Sequence, residues 1–149
     1  MEAVILIGIQ ATGKSTFCNE RFFATHIRLS LDMLKTRHRE SVLLRACLDA
    51  KQPFVIDNTN ASAEERSRYI RDARAAGFKV TGYYFRSEAG GALKRNDQRA
   101  AHERIPPRGV LGTLKRLELP HRDEGFDDLY YVRIANEGGF YVEAWKDEV

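Results

Sequence analysis

Residues 8–15, Gly8-Ile9-Gln10-Ala11-Thr12-Gly13-Lys14-Ser15, restrict the folds open to this chain more than any other stretch. They match Gly-x-x-x-x-Gly-Lys-Ser/Thr, an octet that works only where a strand leads in and a helix leads out. The glycines let backbone N–H groups turn inward on a single anion, and the helix N-terminus adds partial positive charge to the same point. The flanks agree with that requirement. Val4 to Ile9 is an apolar, β-branched run that reads as a buried strand of a parallel sheet, and Lys14 to Phe23 carries a helical pattern. At typical composition, chance would produce such an octet in only about 0.5% of chains of this length.

The rest of the chain alternates in the same way. Ile27–Leu29 reads as a second short strand. A long helix-compatible stretch follows from Ser30 or Asp32, imperfect in its period, until Pro53 closes it. Phe54-Val55-Ile56 is another apolar strand, and Ser62-x-x-Glu65 forms a capping box before a helix that Gly77 stops. Lys79–Phe85 is rich in strand formers. Gly91–Arg99 restarts a helix that Pro106-Pro107 terminates, and Val110–Leu117 forms one more. Leu129–Ile134 and Phe140–Trp145 read as a strand pair joined through Asn136-Glu137-Gly138-Gly139. Strands alternating with helices predict an α/β domain over 1–149: a mainly parallel sheet with helices on both faces.

Composition narrows the class. At 149 residues and 43% hydrophobic, the chain supports one core without a metal or disulfide staple. Cys18 and Cys47 stand alone, with no zinc-type spacing, which fits a reduced, cytoplasmic setting. The N-terminal apolar run is too short and wrongly flanked for a signal peptide or membrane span, so no membrane association is expected.

Within this frame Gly8, Gln10, Ala11, Thr12, Gly13, Lys14, Ser15 and Thr16 are candidate ATP-binding residues. Lys14 would reach the β- and γ-phosphates, and Ser15 would offer its hydroxyl to Mg²⁺. Asp57 ends a strand at the ligand-facing edge of such a sheet, where it could hold Mg²⁺ through water or simply start an Asx turn. Asp32 follows the second strand as a candidate general base, although a helix cap is the commoner fate of an aspartate there. His26 and His38 read as surface residues. Between Lys94 and Arg122 stand eight basic residues against three acidic ones, a composition suited to an arginine-bearing lid at about 94–109 and to a polyanionic second substrate. Arg95 and Arg99, four apart and so expected on one helix face, are the lid candidates.

With these pieces placed, the chain resembles the kinase domain of the 5′-hydroxyl polynucleotide kinases from about Ala3 to Ile134. The resemblance is carried by the phosphate-binding loop (P-loop), Ser30-Leu31-Asp32-Met33-Leu34-Lys35, Val55-Ile56-Asp57-Asn58-Thr59-Asn60 and Lys94-Arg95-Asn96-Asp97-Gln98-Arg99. Arg68-Tyr69, Ala73-Arg74-Ala75-Ala76-Gly77 and Gly125-Phe126 look most similar to the animal enzymes. The resemblance implies that Asp32 is the general base and Arg99 the lid arginine on the transferring phosphate. It also implies that Lys35 and Asn58 lie toward the acceptor, a DNA or RNA 5′-hydroxyl end. Two departures stand out: Lys35 replaces an arginine of the phage-type enzymes, and Asn58 follows Asp57 where their block reads Ser-Asp. No Asp-x-Asp-x-Thr phosphatase motif occurs, so the 3′-phosphatase domain of many relatives is not expected in this chain, and a separate ligase or phosphatase is a candidate partner. The alternatives are a P-loop kinase of a small-molecule hydroxyl and a non-catalytic nucleotide-binding module; the motifs of GTPases, Asn-Lys-x-Asp and Asp-x-x-Gly, are missing.

Overall fold

The computed structural model describes residues 1–146. Six strands form one sheet in the order β2-β3-β1-β4-β5-β6: β1 Glu2–Ile7, β2 Ile27–Leu29, β3 Phe54–Asp57, β4 Lys79–Phe85, β5 Asp128–Ile134 and β6 Phe140–Ala144. The first five strands in that order make four parallel pairs, and β6 closes one edge as the antiparallel partner of β5. Helices α1 Lys14–Phe22, α2 Leu31–Leu34, α3 Arg37–Ala50, α4 Ala63–Ala75, α5 Ala89–Asp97 and α6 Pro107–Arg116 fill the connections. The expected α/β architecture is the observed one.

Two apolar layers, one on each face, fix the orientation of the sheet. Ala3, Ile5 and Ile7 alternate onto one face with Leu48, Tyr69, Ile70 and Ala73 from α3 and α4. Val4 and Leu6 point to the other face, against Phe17, Cys18 and Phe22 of α1. Both cysteines are buried and free. A smaller cluster of Ile9, Ala92 and Val110 fastens α5 and α6 beside the loop after β1.

Several boundaries differ from the sequence reading, each for a local reason. β1 ends at Ile7, because Gly8 and Ile9 already belong to the loop: Gly8 donates to the Thr59 carbonyl and Ile9 to the Ser87 hydroxyl. The single long helix expected after Ser30 is two. Lys35 takes φ +74°, and Thr36 restarts the helix by accepting a hydrogen bond from Arg39 N, which explains the imperfect period. Pro107 sits at the first turn of α6, so the proline pair opens a helix and does not end the preceding one, which already stops at Asp97. Ser62 caps α4 as expected, but the Glu65 carboxylate reaches back to Ala61 N. His26 is partly buried, bonded to Glu2 at 2.9 Å and packed on Phe22, unlike the exposed His38.

Candidate active site

β1, β2 and β3 end at the same level, with Leu6 opposite Asp57 and Leu29 opposite Ile56, so the segments after them converge on one edge of the sheet. That edge collects the P-loop, the Asp32 turn and Asp57-Asn58. Ligands of open α/β sheets bind at such carboxyl edges.

Gly13 caps α1 at φ +93° with no side-chain hydrogen bond, leaving the first turn of the helix open to an anion. A Cβ at Gly13 would lie 2.8 Å from Phe140 Cε1, so the β5–β6 hairpin backs the loop and excludes any larger residue there. Nothing in the octet itself announces Phe140. Thr12 Oγ1 and Lys14 Nζ both donate to the Ile9 carbonyl, at 2.9 and 2.7 Å. Gln10 donates to Thr113 of α6. Ser15 and Thr16 are exposed on the first turn.

Lys14 is buried, and its ammonium is pushed down to about 8. Loss of water is the largest cause and Arg99 adds to it, while Asp57 and Asp32 oppose it. One ammonium therefore senses Asp57, Arg99 and Asp32, which brings three of the candidate residues into one electrostatic neighbourhood. A phosphate beside Lys14 would favour its charged form, so nucleotide binding should take up a proton above pH 8. ADP affinity is expected to fall up to tenfold per pH unit from about 8 upward. Calorimetric titration from pH 7.5 to 9.5 checks this, and a flat affinity contradicts it.

At the end of β3, Ser15 Oγ donates to Asp57 Oδ2 at 2.9 Å, and Asp57 is 5% exposed. A hydroxyl and a carboxylate in contact are hard oxygen donors of the kind Mg²⁺ takes alongside water and phosphate. The sequence reading missed the third member: Arg28 Nε donates to the same Oδ2 at 2.8 Å. Its signal was visible, a charge at the centre of the apolar triplet Ile27-Arg28-Leu29.

Asp32 lies in the first turn of α2 and is exposed; Ser30, not Asp32, takes the cap position. Asn58 spends its carboxamide inside the fold, accepting from Leu31 N at 2.9 Å and donating to Glu40 Oε2 at 2.9 Å. The buried Glu40 carboxylate also accepts from Arg37 and from the Tyr69 hydroxyl, whose pKa is pushed up to about 12 by burial and then by Glu40. This cluster anchors the turn that carries Asp32. Neither Glu40 nor Arg37 was singled out from sequence, since a charge in the first turn of a helix is ordinary.

In the segment expected to form a lid, α5 ends at Asp97, so Arg99 lies in the turn beyond it and does not continue the helix face of Arg95. Arg95 Nε donates to the Ala11 carbonyl at 2.6 Å, tying α5 to the P-loop. Buried Asn96 grips the far side of the loop through Ile105 N and O. Lys35, Lys94, Arg104 and Arg108 are exposed, while Arg116 pairs with Glu65. Among the described residues no helix is long and apolar enough to cross a membrane.

A family profile described as AAA domain matches residues 4–120. Among curated proteins, a bifunctional polynucleotide phosphatase/kinase of Schizosaccharomyces pombe is 28% identical over 138 residues, covering 88% of this chain and 33% of that protein. The chain thus spans about a third of that relative's length. Among solved structures, Chaetomium thermophilum Kti12 in complex with ADP-AlF3 superposes with a TM-score of 0.66 at 14% identity, covering 88% of each chain. A gluconokinase from Sinorhizobium meliloti 1021 gives 0.61 at 14% identity, over 87% of this chain and 82% of that one. The fold is that of P-loop kinase-like domains.

Proposed function

This chain belongs to the AAA domain family, and on that premise we propose that it transfers the γ-phosphate of ATP to the 5′-hydroxyl end of DNA or RNA. The observation that carries this reading is the convergence of exposed Asp32, on the turn after β2, and the P-loop, after β1, on one edge of the sheet. Beside Asp32 stand Lys35 and Arg39, both exposed at the α2–α3 junction, with Arg37 paired to Glu40 between them. A carboxylate opposite the donor phosphates suits a hydroxyl acceptor, and cations around it suit an acceptor that carries its own phosphates. The similarity to a phosphatase/kinase of polynucleotides supports the same acceptor class.

In this mechanism the P-loop amides, Lys14 and the first turn of α1 hold the β- and γ-phosphates. Ser15 and Asp57 would hold Mg²⁺, which supplies charge neutralisation between donor oxygens. Asp32 takes the proton of the 5′-hydroxyl as that oxygen attacks the γ-phosphorus, and the bond to the β-phosphate oxygen breaks to release ADP. Arg99 neutralises charge gathering on the transferring group. Lys35 faces the acceptor side, and Asn58 holds the Asp32 turn in place. The 5′-phosphate product is what an end-joining reaction consumes, so a ligase is the class of enzyme that would act next.

The acceptor is tested by offering labelled ATP and Mg²⁺ together with a 5′-hydroxyl oligonucleotide, a nucleoside and a sugar acid. Preferential transfer to the oligonucleotide is expected; transfer confined to the small molecules would replace this reading with a small-molecule kinase. Arg99→Ala should lower turnover about a hundredfold. Unchanged steady-state kinetics would remove Arg99 from the reacting centre.

A further inference from the structure

Arg28, Ser15 and Asp57 close a triangle at the place where a divalent cation would sit. Arg28 Nε donates to Asp57 Oδ2 at 2.8 Å and Nη2 to Ser15 Oγ at 3.3 Å, while Ser15 Oγ donates to Asp57 Oδ2 at 2.9 Å. Sheet geometry explains the approach. Arg28 pairs with Val55, and Val55 and Asp57 share the face that packs against α1, so the guanidinium reaches one step along the neighbouring strand. We propose that Arg28 is the resident counter-cation of the metal corner, which Mg²⁺ displaces on arrival with nucleotide, and that it thereby sets the Mg²⁺ concentration at which the chain holds its nucleotide.

The Asp57 side chain is 2% exposed, and a carboxylate so buried requires a cation or several donors to remain charged. Arg28 meets that need from the neighbouring strand. A divalent ion on the same two oxygens would lie within a few ångströms of the guanidinium, and two cations so close repel strongly where water is excluded. Arg28 has a way out. Its side chain is 36% exposed, and β2 is the edge strand, paired only with β3, so the guanidinium can turn to solvent without breaking the sheet. The donor set keeps its cation in both states and exchanges a monovalent one for a divalent one.

The inference rests on the nucleotide and Mg²⁺ part of the proposed function and not on the acceptor, so it is tested with ADP and no acceptor present. ADP affinity is titrated against Mg²⁺ for the wild type, Arg28→Met and Arg28→Lys. Methionine keeps the stem and removes the charge; lysine keeps the charge and loses the fork. The Mg²⁺ concentration giving half the maximal gain in ADP affinity should fall about tenfold in Arg28→Met and about threefold in Arg28→Lys. In EDTA, ADP affinity of Arg28→Met should fall about fivefold. Mg²⁺ alone should raise the melting temperature of Arg28→Met by more than that of the wild type, because only the variant has an unpaired Asp57 to stabilise.

A purely architectural Arg28 would lower the melting temperature of the variants and leave the Mg²⁺ midpoint within twofold, which would overturn the proposal. Equal shifts in the lysine and methionine variants would overturn it too. If Arg28→Met does not fold, the threefold shift in Arg28→Lys decides. Failure of the wild type to bind ADP would count against the nucleotide reading, and the comparison of melting temperatures with Mg²⁺ alone would still decide the role of Arg28.

Discussion

Replacing Asp32 with Asn should lower phosphate transfer by about 10²–10⁴-fold and leave ADP affinity within about twofold. The two effects separate because the proposed mechanism gives Asp32 to the acceptor side. It stands on the α2 turn after β2, whereas the donor phosphates are held by the loop after β1 and the first turn of α1. The carboxamide matches the carboxylate in shape and keeps the turn, which is fixed through Leu31 N and Asn58 rather than through Asp32 itself. Only the capacity to accept a proton is lost. Single-turnover assays with pre-bound ATP report the chemical step directly, and a variant that transfers phosphate at the wild-type rate would remove Asp32 as the base.

Arg66→Met carries the largest expected cost in stability, about 3–5 kcal/mol. The arginine is fully buried, and its donors are distributed over three parts of the chain. Nε and Nη2 form a fork on Glu124, at 2.8 and 3.1 Å. Nη1 donates to the carbonyls of Asn60, Ala61 and Glu118. Methionine fills the space yet takes the arginine from the Asn60 and Glu118 carbonyls and leaves the Glu124 carboxylate with the His121 N–H alone, and buried groups that lose a partner cost far more than a made bond gains. The same contacts brace Asn60 and Ala61, just beyond the Asp57-Asn58 pair, so ADP affinity should weaken in parallel. Urea unfolding measures the first effect; a loss below about 1 kcal/mol would show that the pair is dispensable.

The parts of the molecule that were legible in the sequence are those whose signal is local. The octet at Gly8–Ser15, the apolar strands around it, the serine cap at Ser62 and the glycine stop at Gly77 each depend on neighbours within a few residues, and each stands where expected. The helix break at Lys35 was not legible, since Thr36 caps α3 only once Lys35 adopts a left-handed backbone that lysine rarely takes. The buried charges were hidden for another reason. Arg28 meets a partner 29 residues away and Arg66 one 58 residues away, and periodicity carries no information about such pairs. Glu40 looked like an ordinary helix-start acid until β3 and α4 brought Asn58 and Tyr69 to it. Asp32 and Asp57 could be singled out because strand ends are legible, whereas the pairings of Arg28, Glu40 and Arg66, which hold that edge in place, could not.

The most direct test is the transfer of label from γ-labelled ATP to a single-stranded oligonucleotide with a 5′-hydroxyl, in Mg²⁺, beside an identical oligonucleotide already carrying a 5′-phosphate. The account predicts label on the 5′-terminal nucleotide of the first, none on the second, and loss of the signal with Asp32→Asn. Label absent from both, with ATP still bound, would contradict a polynucleotide acceptor.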